Sequence, residues 1–395
     1  MNSSVFANIS PCRHQYLPTL VFANVTPKSR RKLTRLHVWA RSNGEAINEP
    51  STPPFEAFGR TFAERSNQVA LSLRNSKDAH SVLASILLAE NVRLGALLGK
   101  GSRASVYEAH FAGKRFAVKA LLRPTPATLA ELKQEAEVLQ CVRSSCVVAL
   151  NVNIFDPRTS SQLSPVPFLC TELLDGGTLY AALKARTLVD VRTVAVDVAR
   201  GLEAIHASGH SHRDVKAANV MLTASTSGTM RAKLIDLGSA SRLPALPSRP
   251  RRHLFVGEGS FTTIGTLLWM APELIEPHID GESPPPGATG ATADIHSFGV
   301  LLWELLERKL PWTVDLPVSK DNVRRVVVKE RRRLPIPPFA SPALAKLMTE
   351  CWAHDPRERP SAAALVERLS ALRSWDTDGR LARRAAGDES DDGAC

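Results

Sequence analysis

Residues 212–222 read His-Arg-Asp-Val-Lys-Ala-Ala-Asn-Val-Met-Leu and place an acid, a lysine and an amide on one short loop. These are Asp214, Lys216 and Asn219. Phosphoryl transfer uses such a set, because a carboxylate orients a hydroxyl, a cation stabilises the moving phosphate and an oxygen donor binds Mg²⁺. An H-R-D tripeptide alone is a weak signal, but here the asparagine follows five residues after the acid and an apolar run begins at once. The loop therefore predicts a phosphoryl-transfer site.

The composition is that of an ordinary globular protein, with 44% apolar and 23% charged residues among 395. No window approaches the roughly 18 unbroken apolar residues of a membrane span, because the best stretch, 298–306, contains Glu304. The net charge is +11, but residues 1–44 carry seven basic residues and no acid, which leaves 43 basic against 39 acidic residues, or +4, for the remainder. We expect neither a membrane span nor nucleic-acid binding.

The N-terminal forty residues lack acids and combine scattered arginine and lysine with three prolines, which is typical of an organelle transit peptide. Val38-Trp39-Ala40 resembles a Val-x-Ala cleavage site of chloroplast transit peptides. We expect residues 1–40 to direct the chain to the chloroplast. The alternatives are the mitochondrion, or a disordered basic arm on a cytoplasmic protein. Residues 41–90 predict a linker that includes a helix between Phe62 and Glu90, to which no chemistry is assigned.

Short β-like runs begin at Leu94 and cover 94–98, 105–110 and 115–121. A Gly99-x-Gly101 loop joins the first two runs, and such a loop lets backbone N–H groups approach phosphate oxygens. Alternation along the third run places Ala117 and Lys119 on one face, where a lysine needs a charged partner. The residues therefore predict a small β-sheet with an inward lysine, while the glycine loop by itself is either a phosphate loop or a plain hairpin turn.

A helical run over 129–142 follows and contributes three glutamates, Glu131, Glu135 and Glu137. Only one of them is expected to face inward beside Leu132 and Leu139, and Glu135 fits best. Further along, 168–174 predicts a strand, 190–206 an amphipathic helix, and 233–235 a short strand that ends in Asp-Leu-Gly at 236–238.

The order of these pieces resembles the eukaryotic protein kinase family over residues 91–372. Later motifs agree with it, namely Gly-Thr-Leu-Leu-Trp-Met-Ala-Pro-Glu at 265–273, Asp-Ile-His-Ser-Phe-Gly-Val at 294–300 and Cys-Trp…Arg-Pro-Ser at 351–361. The resemblance implies an α+β, bilobal kinase fold with a small β-rich N-lobe (91–174) and a large helical C-lobe (175–372). A disordered tail would follow at 373–395. It also implies that Arg359 pairs with Glu273.

The resemblance implies use of ATP and Mg²⁺. In kinases the strand lysine holds phosphates and pairs with the helix glutamate, roles that would fall to Lys119 and Glu135. Asp214 would be the catalytic aspartate, Lys216 would reach the γ-phosphate, and Asn219 and Asp236 would bind metal. The implied nucleotide site consists of Leu98, Gly99, Lys100, Gly101, Ser102, Arg103, Ala104, Ser105, Val106, Ala117, Lys119, Thr171, Glu172, Leu174 and Met221.

Two positions indicate the subclass. Lys216 in the catalytic loop and Thr266 before the Trp-Met-Ala-Pro-Glu run resemble Ser/Thr kinases, and the surrounding phrases resemble the tyrosine-kinase-like group, Raf-like or mixed-lineage-like. The implied function is transfer of the γ-phosphoryl group of ATP to Ser or Thr hydroxyls of protein substrates. An upstream kinase acting on Ser260, Thr262 or Thr263 would regulate it. The alternative is a pseudokinase scaffold that binds ATP without catalysis.

Three features depart from the family pattern or add to it. Ala104 stands where a third glycine is common, and Leu237 replaces the phenylalanine of Asp-Phe-Gly. A basic run at 324–333 is expected to be a solvated face, with an acidic docking site as the alternative.

Overall fold

The computed structural model describes residues 92–243 and 264–381, except 102, 112, 122, 154–166, 188, 225–229, 281–289, 313–318, 378 and 380. The expected transit peptide, the linker and helix of 41–90 and most of the expected disordered tail lie outside the described residues. So do Ser102 of the glycine loop and the three candidate phosphosites, Ser260, Thr262 and Thr263.

The N-lobe is an antiparallel five-stranded sheet with strand order β1-β2-β3-β5-β4. The strands are β1 (Arg93–Lys100), β2 (Ser105–Phe111), β3 (Lys114–Ala120), β4 (Leu150–Asn153) and β5 (Phe168–Glu172). Along β3 the side chains of Phe116, Val118 and Ala120 are buried, while Ala117 and Lys119 face the other side. This period of two is the one expected for a half-buried strand, and it turns the lysine toward the interlobe cleft.

Helix α1 (Pro126–Cys141) lies against the N-lobe sheet and begins three residues before the predicted start. Thr125 is its N-cap, accepts a hydrogen bond from the Thr128 backbone N–H, and forms a capping box with Thr128; Pro126 follows at the first helical position. A capped proline start extends a helix beyond its first apolar residue. Strand β4 was missed, because four residues give too short a pattern and the strand depends on pairing with β5.

The C-lobe is mainly helical. Its helices are α2 (Leu179–Lys184), α3 (Val191–Ala207), α4 (Ile264–Leu267), α5 (Pro272–Asp280), α6 (Ala291–Glu307), α7 (Lys320–Val323), α8 (Pro342–Cys351) and α9 (Ala362–Ala371). Helix α7 continues as a π-helix over Arg324–Lys329. Residues 293–306 of α6 are all buried, so this helix forms the centre of the lobe. Among the described residues, none of the helices has the length and apolar character needed to cross a bilayer.

Two small antiparallel ribbons carry the loops of the cleft. Strands β6 (His210–Ser211) and β9 (Ser241–Arg242) form one ribbon, and β7 (Val220–Ala224) and β8 (Met230–Leu234) form the other. The segment after β5 crosses to the second ribbon at Gly176, whose N–H donates to the Leu222 carbonyl at 3.0 Å. A Cβ at this glycine would lie 2.4 Å from that oxygen, so only glycine allows the approach. The β-rich N-lobe and helical C-lobe expected from the sequence are confirmed.

Candidate active site

Lys119 joins the two lobes through two carboxylates. Its Nζ lies 2.7 Å from Glu135 Oε2 on α1 and 2.8 Å from Asp236 Oδ1, which follows β8 in the C-lobe. Glu135 is buried, with 6% of its side chain exposed, whereas 47% of the Asp236 side chain is exposed toward the cleft. Helix α1 therefore lies close enough for its glutamate to hold the lysine over the aspartate.

The electrostatics of this group favour its charged form. Burial opposes the charge on Lys119, but the attraction of Asp236 and Glu135 outweighs it and raises the pKa of the lysine. The Lys119 ammonium in turn lowers the pKa of Asp236 to about 2. Burial raises the pKa of Glu135, and the nearby lysine opposes that rise. Asp236 is consequently an anion at any physiological pH, as a metal ligand must be.

The catalytic-loop residues predicted from the sequence lie together. Lys216 Nζ donates to Asp214 Oδ2 at 2.8 Å and to Thr266 Oγ1 at 3.0 Å. Asn219 Nδ2 donates to the backbone oxygen and to Oδ2 of Asp214, both at 2.8 Å. The Asp214 carboxylate is thus held by its own loop and linked through Lys216 to the segment before α5. Thr266 was noted in the sequence only as a subclass marker, and no local pattern indicated this contact.

Buried Asp294, at the start of α6, holds the backbone of this loop. Its two carboxylate oxygens accept hydrogen bonds from the N–H groups of His212 and Arg213, each at 2.7 Å. Burial opposes ionisation of Asp294, but the hydrogen bond from His206 and the neighbouring donors hold its pKa below the usual value. Arg213 has a φ of +68°, a conformation that costs energy outside glycine and persists only when its surroundings enforce it.

Asp236, the expected metal ligand, is joined to the same loop. Ile235, the residue before Asp236, donates its N–H to the Asn219 carbonyl at 3.0 Å, and its own oxygen lies 3.1 Å from His212 Nε2. Asp236 itself has a φ of +62°. Leu237, which replaces phenylalanine, is fully buried in the core and fills the place of an apolar plug.

Asn219 and Asp236 fit a Mg²⁺ ion by their chemistry. Mg²⁺ prefers oxygen donors, and a carboxylate with an amide oxygen supplies two. Both hydrogen bonds of the Asn219 amide use its nitrogen, which leaves its oxygen as the group able to ligate a metal. Among the described residues, no group of three or more histidine, cysteine, aspartate or glutamate side chains is arranged to hold a metal.

The walls expected for the nucleotide lie on facing elements. Val106 on β2, Ala117 on β3 and Met221 on β7 are each only half-buried, as apolar side chains beside an open cleft are. Leu98 on β1 is 48% exposed. Thr171 is paired with Ala117 across β3 and β5. The cleft thus has apolar residues on its N-lobe and C-lobe sides.

The hinge residues Glu172 and Leu174 follow on the connection between lobes. The Glu172 carboxylate accepts hydrogen bonds from Lys233 Nζ at 2.6 Å and from the Ala149 N–H at 2.8 Å. Its side chain is therefore used within the protein, and a contact of Glu172 with a nucleotide would come from its backbone.

The glycine loop spans the turn between β1 and β2. Gly99 and Lys100 pair with Val106 and Ser105, and all four lie on the two strands. At the turn the Gly101 N–H donates to the Ala104 carbonyl at 2.9 Å. A Cβ at Gly99 would meet no atom within 4 Å, so the space on that side of the loop is open. This openness leaves room for a ligand to approach the backbone.

Arg359 and Glu273 form the expected ion pair, which joins the segment before α9 to α5. Arg359 Nη1 and Nη2 lie 2.6 and 2.8 Å from the two Glu273 oxygens, and the arginine side chain is 0% exposed. Arg359 also donates to the carbonyls of Thr292 and Ala353, each at 3.0 Å. The pair therefore joins the start of α5 to the segment before α9.

Two buried groups near the site had no signal in the sequence. Glu304 of α6 accepts a hydrogen bond from Trp269 Nε1 at 2.9 Å and interacts with the Ala217 backbone N–H, and its burial raises its pKa to about 7. His296, also on α6, is 1% exposed, and neither of its ring nitrogens has a hydrogen-bond partner within normal geometry. Both residues lie on α6, where the spacing of apolar residues indicates which side chains are buried but not which groups they contact.

The basic run at 324–333 is largely neutralised by neighbouring acids. Arg324 lies 2.5 Å from Asp280, Lys329 lies 2.5 Å from Glu276, and Arg325 is paired with Glu330. Arg331 and Arg332 are exposed, whereas Arg333 is half-buried and donates to the Trp352 and Val327 carbonyls, so the solvated face over the whole run stays a prediction.

Comparison with known proteins assigns most of the described residues to one protein family. A family model described as "Protein kinase domain" matches residues 92–369, more than two thirds of the chain.

Curated relatives match about 70–80% of the chain at modest identity. The probable serine/threonine-protein kinase SIS8 of Arabidopsis thaliana is 29% identical over 329 residues, which is 81% of this chain and 29% of the relative. The serine/threonine/tyrosine-protein kinase HT1 of the same plant is 30% identical over 285 residues, covering 69% and 64% of the two chains. Mitogen-activated protein kinase kinase kinase 11 of Rattus norvegicus is 29% identical over 297 residues, covering 72% and 31%. The chain thus spans less than two thirds of each relative.

Proposed function

The chain belongs to the protein kinase family, and from that premise we propose that it is an ATP-dependent protein serine/threonine kinase. A kinase domain in general uses ATP and Mg²⁺ and acts on protein substrates. The observation that carries the proposal is the connected arrangement of Lys119, Asp236 and the Asp214 loop in one cleft. These are the groups that ATP-dependent phosphoryl transfer requires.

In the proposed reaction the protein positions and stabilises more than it reacts. Lys119, held by Glu135, offers a fixed cation to the α and β phosphates, and the glycine-loop backbone offers N–H groups from above. Asp214, oriented by Asn219 and Lys216, accepts a hydrogen bond from the substrate hydroxyl and directs its oxygen at the γ-phosphorus. Mg²⁺, when held by Asp236 and Asn219, supplies positive charge that offsets charge developing on the phosphates.

The choice of serine or threonine as acceptor rests on Lys216 and Thr266. Lys216 lies between Asp214 and Thr266, at 2.8 and 3.0 Å, so its ammonium is beside the carboxylate that would orient the hydroxyl. A lysine and a threonine at these two positions resemble those of Ser/Thr kinases. The name of SIS8, a probable serine/threonine-protein kinase, also supports this choice, whereas the name of HT1 includes tyrosine as well.

Activity would be regulated through the segment before α4. Ser260, Thr262 and Thr263 precede α4, and Arg213 precedes the catalytic aspartate. A phosphate on this segment would pair with Arg213 and order the segment. An upstream kinase would supply that phosphate. Replacement of all three with alanine is expected to lower turnover; undiminished turnover would remove this part of the proposal.

Autophosphorylation with labelled ATP tests the proposal, comparing the parent with Asp214→Asn. Incorporation should fall at least about 100-fold, because the hydroxyl loses its acceptor. Asp321→Asn, at an exposed aspartate of α7, is the matched control and should keep parental activity. If the parent binds an ATP analogue but transfers nothing to itself or to a generic protein substrate, the pseudokinase scaffold becomes the better description.

We also propose that residues 1–40 direct the protein to the chloroplast, supported by their lack of acids and the Val-Trp-Ala tripeptide. A fluorescent fusion of residues 1–60 tests this. Signal in mitochondria or throughout the cytoplasm would contradict the plastid assignment.

A further inference from the structure

The glycine loop is attached to helix α1 by an ion pair that the proposed function does not use. Arg103 Nη1 lies 2.7 Å from Glu131 Oε2, with 31% and 20% of the two side chains exposed. Glu131 precedes Glu135 by about one helical turn, so the two carboxylates lie along the same side of α1. One side of this helix therefore binds a cation from β3 and another from the glycine loop. Glu135 is the buried glutamate of this helix, as expected from the sequence, and the pairing of the partly exposed Glu131 had no signal in the sequence.

Ala104 provides a second attachment between the same two elements. This residue packs against the buried cluster of Leu121, Leu132, Ala136 and Leu169, in which Leu132 and Ala136 belong to α1. Its carbonyl accepts a hydrogen bond from the Gly101 N–H, so Ala104 links this cluster to the backbone of the second loop glycine. A glycine at 104 would have no methyl group to place in this cluster. The departure from the third glycine thus adds a contact to the helix.

We propose, resting on the kinase function proposed above, that Arg103 and Glu131 form a clasp that positions the glycine loop over the ATP phosphates while Glu135 holds Lys119. One helix, α1, carries both glutamates. The position of α1 against the N-lobe sheet therefore orients Lys119 and positions the glycine loop at the same time. Arg103 and Glu131 are positioning residues, which act on ATP through the loop backbone. Loss of the clasp leaves the loop more mobile and weakens nucleotide binding.

The test compares Arg103→Gln, Glu131→Gln, the double variant and the charge exchange Arg103→Glu with Glu131→Arg. The KM for ATP and the Kd for a fluorescent ATP analogue should each rise about two- to fivefold in the single variants, the range of a partly exposed ion pair. The kcat should change less than KM. The double variant should be no worse than either single variant, and the charge exchange should restore parental values within about twofold.

Glu137→Gln is the matched control, because it removes an exposed carboxylate from the same helix; its KM and Kd should equal those of the parent. Circular dichroism verifies folding, and if the charge exchange does not fold, the non-additivity of the two glutamine variants decides. The clasp is overturned if the parent binds the analogue and both single variants bind it equally tightly. It is also overturned if the effects of the two substitutions add in the double variant. Either result leaves the kinase proposal standing. A parent that binds no nucleotide overturns both.

Discussion

Lys119 and Asp236 are 117 residues apart in the chain, yet the lysine Nζ lies 2.8 Å from the aspartate Oδ1. The contact joins strand β3 of the N-lobe to the loop after β8 in the C-lobe, and Glu135 completes it from α1. A nucleotide bound between the lobes would meet both charges at once, because one attracts phosphate and the other attracts metal.

Lys119→Met should lower phosphoryl transfer at least about 100-fold, because the substitution removes the cation that orients the phosphates. The measurement is turnover of the purified variant, with circular dichroism to verify its fold. Lys114→Met, at an exposed lysine of the same strand, serves as the control. Near-parental turnover of Lys119→Met would show that the assigned role is wrong.

Asp294→Asn should lower kcat by about tenfold or more while changing the KM for ATP little. The amide offers one oxygen where the carboxylate accepts the N–H groups of both His212 and Arg213, so the catalytic-loop backbone loses a hydrogen bond. Asp294 touches neither nucleotide nor substrate, and steady-state kinetics with varied ATP separates the two constants. A variant with unchanged kcat would mean that the loop keeps its shape without this anchor.

Arg359→Met should destabilise the protein by about 3–5 kcal/mol, because it leaves Glu273 largely buried and without its bidentate partner. Thermal unfolding measures the loss. Arg357→Met is a suitable comparison, since Arg357 pairs with Asp355 only two residues away but is 90% exposed. Equal shifts in melting temperature for the two variants would contradict the structural importance of the buried pair.

Glu304→Gln should gain stability relative to the parent as pH rises from 5 to 8. The pKa of Glu304 is raised by burial to about 7, against 4.5 for the exposed group, so the folded protein retains a proton that the unfolded chain releases. The stability contributed by this proton is present below pH 4.5 and is lost as pH rises to about 7. The stability of the variant minus that of the parent should therefore rise by about 2.5 kcal/mol between pH 5 and pH 8. Denaturant unfolding at the two pH values measures this, and a pH-independent difference would contradict it.

His296 should have the opposite effect. Burial, with Arg359, Arg333 and His354 nearby, holds its pKa well below the usual 6.5, although the Trp269 backbone favours the charged form. Below pH 6.5 the unfolded chain takes up a proton that the folded protein resists, so this group costs stability as pH falls.

The measurement for His296 is the free energy of unfolding of His296→Phe relative to that of the parent. The parent alone is not informative, because Glu304 and His296 change its stability in opposite directions as pH falls. The difference should shift in favour of the variant as pH falls below 6.5, by at most about 1.4 kcal/mol per pH unit. His110→Gln, at an exposed histidine, gives the background. A difference that does not vary with pH would mean that the imidazole titrates normally.

Much of the fold followed from local patterns. The helix predicted over 190–206 is α3 at Val191–Ala207, and the strand predicted over 105–110 is β2 at Ser105–Phe111. These elements have strong apolar periodicity over several turns or alternations. The start of α1 was placed late, and β5 ends two residues before the predicted end, at Glu172. Boundaries of this kind depend on caps and hinges more than on periodicity.

The amino-acid sequence by itself determined the family, the order of the elements and which residue types were available for phosphoryl transfer, because motif spacing and hydrophobic period are local properties of the chain. Only the tertiary structure decided which charges meet. The pairing of Arg103 with Glu131, and the enclosure of Glu304 and His296 in the C-lobe core, depend on how α1 and α6 pack against elements far away in the chain. The spacing of residues within a helix does not predict those distances, because it shows which residues share a face but not which residues of other elements that face contacts.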